Sequence, residues 1–62
     1  MTVISKYFLD GTPLTQVVEE CRPSVGEEIC IDGEYYKVAK SIRYITMCPP
    51  WVSHVHLERS KQ

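Results

Sequence analysis

The chain has no apolar run approaching the roughly 20 residues that a bilayer crossing requires, so no membrane partner is expected. It has no excess of either charge, with seven Lys and Arg against eight Asp and Glu. A balanced molecule lacks the whole-chain attraction that draws proteins to nucleic acid or anionic membranes. There is no Cys-x-x-Cys pair, and three cysteines cannot all be paired within one chain. A disulfide framework is therefore not the expected source of stability, and a reduced, cytoplasmic chain is. Met1-Thr2-Val3-Ile4 runs directly into a strand-like pattern, so no targeting peptide is expected. Nor is there length to spare. Sixty-two residues make one small domain spanning 1–62, and such a chain buries only about 60% of its unfolded surface. Its stability is marginal unless a metal, a disulfide or self-association adds to it.

What the chain does have is turn chemistry. Ile29-Cys30-Ile31-Asp32-Gly33-Glu34-Tyr35-Tyr36-Lys37-Val38 is two alternating runs joined by Asp-Gly, a strong hairpin signal. A two-residue loop sets Glu34 opposite Ile31, Tyr35 opposite Cys30, Tyr36 opposite Ile29 and Lys37 opposite Glu28. One face then carries Ile29, Ile31, Tyr36 and Val38. The other carries Cys30 and Tyr35, with Glu28 and Lys37 as an opposite-charge pair. Asp10-Gly11 is a second such turn, which on a two-residue loop faces Tyr7 with Leu14, Ile4 with Val17 and Val3 with Val18.

Residues 2–9 are rich in β-branched and aromatic side chains and read as a strand. Both of its faces are apolar: Val3, Tyr7 and Leu9 on one, Ile4 and Phe8 on the other. The next segment is ambiguous. Thr12-Pro13 suits a helix start, and Leu14, Val17, Val18 and Cys21 fall at helical spacing. Against a helix stand the β-branched Thr15, Val17 and Val18. Strand is the expectation, with a short helix over 13–21 as the alternative. The arm from Glu34 to Ile45 is long enough to need a bend, expected as a bulge between Ala39 and Ser41. On it Tyr36, Val38, Ile42 and Tyr44 are read as one face, interrupted by Lys40. Pro49-Pro50 ends that arm. Trp51 to Glu58 is the last strand, with Trp51, Ser53, Val55 and Leu57 on one side and Val52, His54, His56 and Glu58 on the other.

From Pro23 to Val38 the order is Pro-x-Val-Gly-Glu-x-Ile, an Asp-Gly turn, then a Tyr-x-Val strand. This stretch resembles small SH3-like β-barrel accessory proteins of bacteriophages and prophages. The resemblance implies a fold and an origin, and it assigns no functional residue. The expected fold is accordingly all-β, a five-stranded antiparallel barrel or curled sheet of SH3-like type. Its expected core is Ile4, Phe8, Val17, Ile29, Ile31, Tyr36, Val38, Ile42, Trp51, Val55 and Leu57. The alternative is α+β, if 13–21 is helical.

Three kinds of chemistry have candidate residues in this chain. Cys48, His54 and His56, with Cys21 and Cys30, supply metal-ligating atoms. The spacing lacks the Cys-x2–4-Cys or His-x3–5-His pairs of structural zinc sites, so no metal and no cofactor is expected. Catalysis by a cysteine needs a base and a cleft, and so short a chain leaves little room; no enzyme activity is expected. Tyr35, Tyr44 and Trp51 among Lys37, Lys40 and Arg43 offer aromatic platforms with neighbouring cations, as single-strand binders do. Nucleic-acid binding is the alternative function. The leading expectation is a protein interface, to a partner or to a second copy of the chain. Its residues are Cys30, Tyr35, Lys37, Val52, His54 and His56, where the outer surface is more apolar and aromatic than water requires.

Overall fold

Asp10-Gly11 and Asp32-Gly33 both turn the chain with positive φ at each residue, 51° and 79° at the first and 49° and 83° at the second. That is the backbone of a two-residue hairpin turn whose twist matches its strands. The computed structural model describes Thr2–Ser60 and is all β. Its strands are β1 (Val3–Leu9), β2 (Thr12–Glu19), β3 (Glu28–Ile31), β4 (Glu34–Tyr44) and β5 (Trp51–Arg59). They form one sheet in the order β2-β1-β5-β4-β3, curled into a half-barrel with β2 and β3 as its edges.

The β3–β4 hairpin has the register expected from its turn, with Glu28 facing Lys37, Ile29 facing Tyr36 and Cys30 facing Tyr35. The sheet is not antiparallel throughout. β1 and β5 run parallel, from Val3 facing Trp51 to Leu9 facing Leu57. Residues 12–19 are strand, so the helical alternative is not adopted. The helically spaced Leu14, Val17 and Val18 are all exposed rather than gathered on one buried stripe. The register of β1 with β2 also differs by one from the expectation. A bulge at Leu14 takes the pairing from Phe8–Pro13 to Tyr7–Thr15, which sets Ile4 opposite Val18 and Val3 opposite Glu19.

The core is Tyr7, Tyr36, Val38, Val55 and Leu57, with Leu9, Ile29 and Ile31 packed against it. Val3, Ser5 and Tyr7 are buried, so the inner face of β1 is the one opposite Ile4 and Phe8. Those two half-buried residues, expected in the core, lie on the outer face. Val17 is also outside the core, exposed on the edge strand. On β4 a bulge falls between Val38 and Lys40, where a bend was expected. The extra residue, Ala39, reverses the alternation that follows it. Ser41 and Arg43 therefore face inward, opposite Val55 and Ser53, while Ile42 and Tyr44 join His54 and Val52 outside. Ile42, expected in the core, is corrected by that reversal, and Trp51 stands half-buried at the rim of the inner face.

The inner face has two ends of different character. The apolar core fills one. At the other, the Ser5 and Ser53 side chains are fully buried and face each other across β1 and β5. The segment 20–27 carries the chain from the β2 edge to the β3 edge across this second end. Pro23 is buried, and Arg22 Nη1 donates to the Ser41 carbonyl at 3.4 Å. Gly26 N–H donates to the Val38 carbonyl, and Val38 N–H donates to the Glu27 carbonyl, each at 2.9 Å.

Tyr7 Oη donates to Glu19 Oε2 at 2.8 Å, fastening the end of β2 to the core. Burial, then the Glu19 hydrogen bond and its negative charge, and then the charge of Glu27, push the Tyr7 phenol well above its ordinary value; the Ser5 hydroxyl opposes them. The folded state thus holds the Tyr7 proton after the unfolded chain, titrating near 10, has released it. Stability is unaffected below pH 10 and falls as pH rises above it, by at most about 1.4 kcal/mol per pH unit. Denaturant unfolding of the wild-type chain and Tyr7→Phe between pH 9 and pH 11 should show a steeper alkaline loss in wild type. Equal slopes would discard this account.

Candidate functional site

The six expected interface residues share the outer face, in two groups. Cys30, Tyr35 and Lys37 are exposed on the β3–β4 hairpin. Val52, His54 and His56 are half-buried on β5, in the middle of the sheet. Lys37 faces Glu58, two residues beyond His56 on the same side, which joins the groups along β5.

The β5 group is built into a row of rings that crosses three strands. Parallel pairing puts Phe8 of β1 beside His56. The Phe8 ring stacks on His56 at 5.5 Å between centroids and 24° between planes, and it tilts against His54 at 5.0 Å. Tyr44 of β4 meets His54 edge-on at 4.6 Å. Lys6 and Lys40 flank the row, facing His54 and His56 respectively. Sequence reasoning misses Phe8 here because it assigns that ring to the core, and Tyr44 because straight alternation along β4 sets it on the face of Val38. One signal was present. A core face containing Ile4 and Phe8 must also bury Lys6, whereas the opposite face has only Ser5 to accommodate.

Trp51 and Arg43 are on the other side. Arg43 lies over the Trp51 ring, 5.7 Å from its centroid. The aromatic and cationic residues that suggested nucleic acid are thus divided between the two faces. Cys21, Cys30 and Cys48 are exposed free thiols, and among the described residues no three His, Cys, Asp or Glu side chains gather as a metal site.

The edge strand β2 is the most open element. Of its positions, only Glu19 is better than exposed. Val18 is 64% exposed. Proteins usually guard such an edge with lysine, proline or a bulge. β2 has Pro13 and the Leu14 bulge at one end. From Thr15 to Glu19 it has neither, and it has no cation anywhere.

Among the described residues no helix is long and apolar enough to cross a membrane. Comparisons with protein-family models, with curated proteins and with solved structures find no match to the chain.

Proposed function

We propose that the chain is a non-enzymatic interaction module, and that its partner is a second copy of itself joined along β2. The unguarded edge from Thr15 to Glu19 carries this reading. Its unpaired backbone groups are a template for another strand. Charge favours β2 of a second copy over any other edge of the molecule. The residues from Thr12 to Val18 are uncharged, and Glu19 and Glu20 lie at one end. Antiparallel pairing about a two-fold axis sends the two acidic ends apart. Pairing of β2 with the β3 edge would instead bring those acids towards Glu27, Glu28 and Glu34. A two-fold seam also closes, giving a dimer rather than a filament. The Pro23–Val38 resemblance to phage SH3-like accessory proteins is the basis for reading the module as SH3-like and phage-derived. The three free thiols are the basis for placing it in the cytoplasm. Solution mass over a range of concentrations tests the reading. A dimer is expected; a monomer at the highest attainable concentration sinks it, and capture of a strand from another protein would move it to a hetero-partner.

A second reading has one observation in its favour, the ring row Tyr44, His54, Phe8 and His56 between Lys6 and Lys40. Exposed rings beside cations are stacking platforms for single-stranded bases. On that reading an oligothymidylate mobility shift should weaken with salt and disappear in Tyr44→Ala. On the favoured reading no shift occurs.

A further inference from the structure

At the serine end of the half-barrel the curl is open. Val3, Glu20, Cys21, Arg22, Arg43 and Trp51 line a cleft of about 300 Å3 there. That volume is at the lower end of the roughly 300–1,000 Å3 typical of small-molecule sites. Two features separate it from an ordinary surface recess.

The first is that both guanidiniums are held in place with donors to spare. Arg22 gives Nη1 to the Ser41 carbonyl. An arginine has five N–H donors in a fixed fork, so one such bond orients the group and leaves the others available. Arg43 is held by the Trp51 ring. A cation attracted to a ring face does not spend its N–H donors on conventional hydrogen bonds there, which leaves them for a ligand. The second is charge. The lining carries two guanidiniums against the single carboxylate of Glu20, so the cleft has an excess of positive charge although the whole chain has net charge −1. Polar ground continues inward. Ser53 pairs with Arg43 on one side and with Ser5 on the other. Among the described residues no hydrogen-bond partner reaches the buried hydroxyls of Ser41 and Ser53.

We infer that this cleft binds a phosphate group, held between the forks of Arg22 and Arg43. Tetrahedral oxyanions are ligands that two guanidiniums lining one cleft recognise well, through charge-assisted and often bidentate hydrogen bonds. A doubly charged phosphate gains more than a singly charged carboxylate does from the excess positive charge of the lining, because the attraction to the two guanidiniums exceeds the opposition of Glu20 and both scale with the ligand's charge. The site is independent of the β2 edge, so it stands or falls separately from the dimer.

Trp51 is the only tryptophan in the chain, and its fluorescence reports on the cleft directly. Inorganic phosphate is titrated into the full chain at constant ionic strength, with sodium chloride and sodium acetate as parallel arms. A saturable change with phosphate, absent with chloride and much weaker with acetate, is expected. Arg22→Gln, which leaves the Arg43–Trp51 contact in place, should weaken binding about tenfold or more, the equivalent of one charge-assisted hydrogen bond. Arg43→Gln should do the same by calorimetry, where the altered environment of Trp51 does not intrude. Glu20→Gln should tighten binding, which a merely structural role for the lining would not produce. Circular dichroism confirms that each variant is folded. Equal responses to chloride and phosphate, a linear response, or Arg22→Gln titrating like wild type would overturn the assignment. Acetate saturating as tightly as phosphate would overturn it in favour of a carboxylate.

Discussion

Val18→Lys should convert a dimeric chain into a monomeric one. Val18 is 64% exposed on the outer side of β2, so replacing it costs the isolated fold little, within about 0.5 kcal/mol as for most surface changes. At a two-fold seam the substitution appears twice, and each new ammonium must either lose water or hold the second strand away. Like or unpaired charges at an interface cost several kcal/mol, so the dissociation constant should rise by about two orders of magnitude or more. Lysine is also the residue that natural edge strands use to refuse partners, and its absence from β2 is what the substitution repairs. Two measurements check this. The mass of wild type and Val18→Lys at matched concentration should differ twofold. The thermal midpoint should rise with concentration in wild type and stay fixed in the variant, because association stabilises only the folded state. If Val18→Lys keeps the wild-type mass, the seam is not on β2.

The parts of the fold that were legible share one property: they are local. The β3–β4 hairpin follows from Asp32-Gly33 and the alternation on either side, and every one of its pairs is as expected. The two faces of β5 follow from Trp51, Ser53, Val55 and Leu57, of which the last three are buried. The failures come from extra residues and distant pairings. Ala39 was within the expected bend, yet carrying the alternation straight through it placed Ile42 and Tyr44 with Val38. One bulged residue moves every later side chain to the other face. The Leu14 bulge shifted the β1–β2 register in the same way. On β1 the two faces differ by little in apolarity, and Lys6 on one against Ser5 on the other is the single mark that tells them apart; the parallel partner β5 bears it out. That pairing links the ends of the chain, and no local signal encodes it. The candidate surface was half legible for the same reason. Val52, His54 and His56 sit where alternation put them, while Phe8 and Tyr44 reach them through the parallel pair and the bulge.

Leu57→Ala and Ser53→Ala, two substitutions on the same face of the same strand, should move stability in opposite directions. Leu57 is 5% exposed within the central cluster. Truncating such a leucine costs about 2–5 kcal/mol, from lost burial and the cavity left behind. A domain of this length has about 3–9 kcal/mol in total, so Leu57→Ala should lose a large share of it and lower the thermal midpoint by roughly 4–8 °C for each kcal/mol lost. Ser53 is fully buried, and among the described residues its hydroxyl has no hydrogen-bond partner. Desolvating an unbonded hydroxyl costs about 1–3 kcal/mol. Alanine removes that cost and leaves almost the same shape, so Ser53→Ala should raise the thermal midpoint, by roughly 4–8 °C for each kcal/mol regained in a domain this small. Thermal unfolding at one concentration in the Val18→Lys background separates both effects from association. A lower midpoint for Ser53→Ala would mean that the hydroxyl is engaged in solution. The inner face would then be polar by construction at its serine end. The core of five residues around Val38 and Val55 would have to hold the half-barrel together by itself.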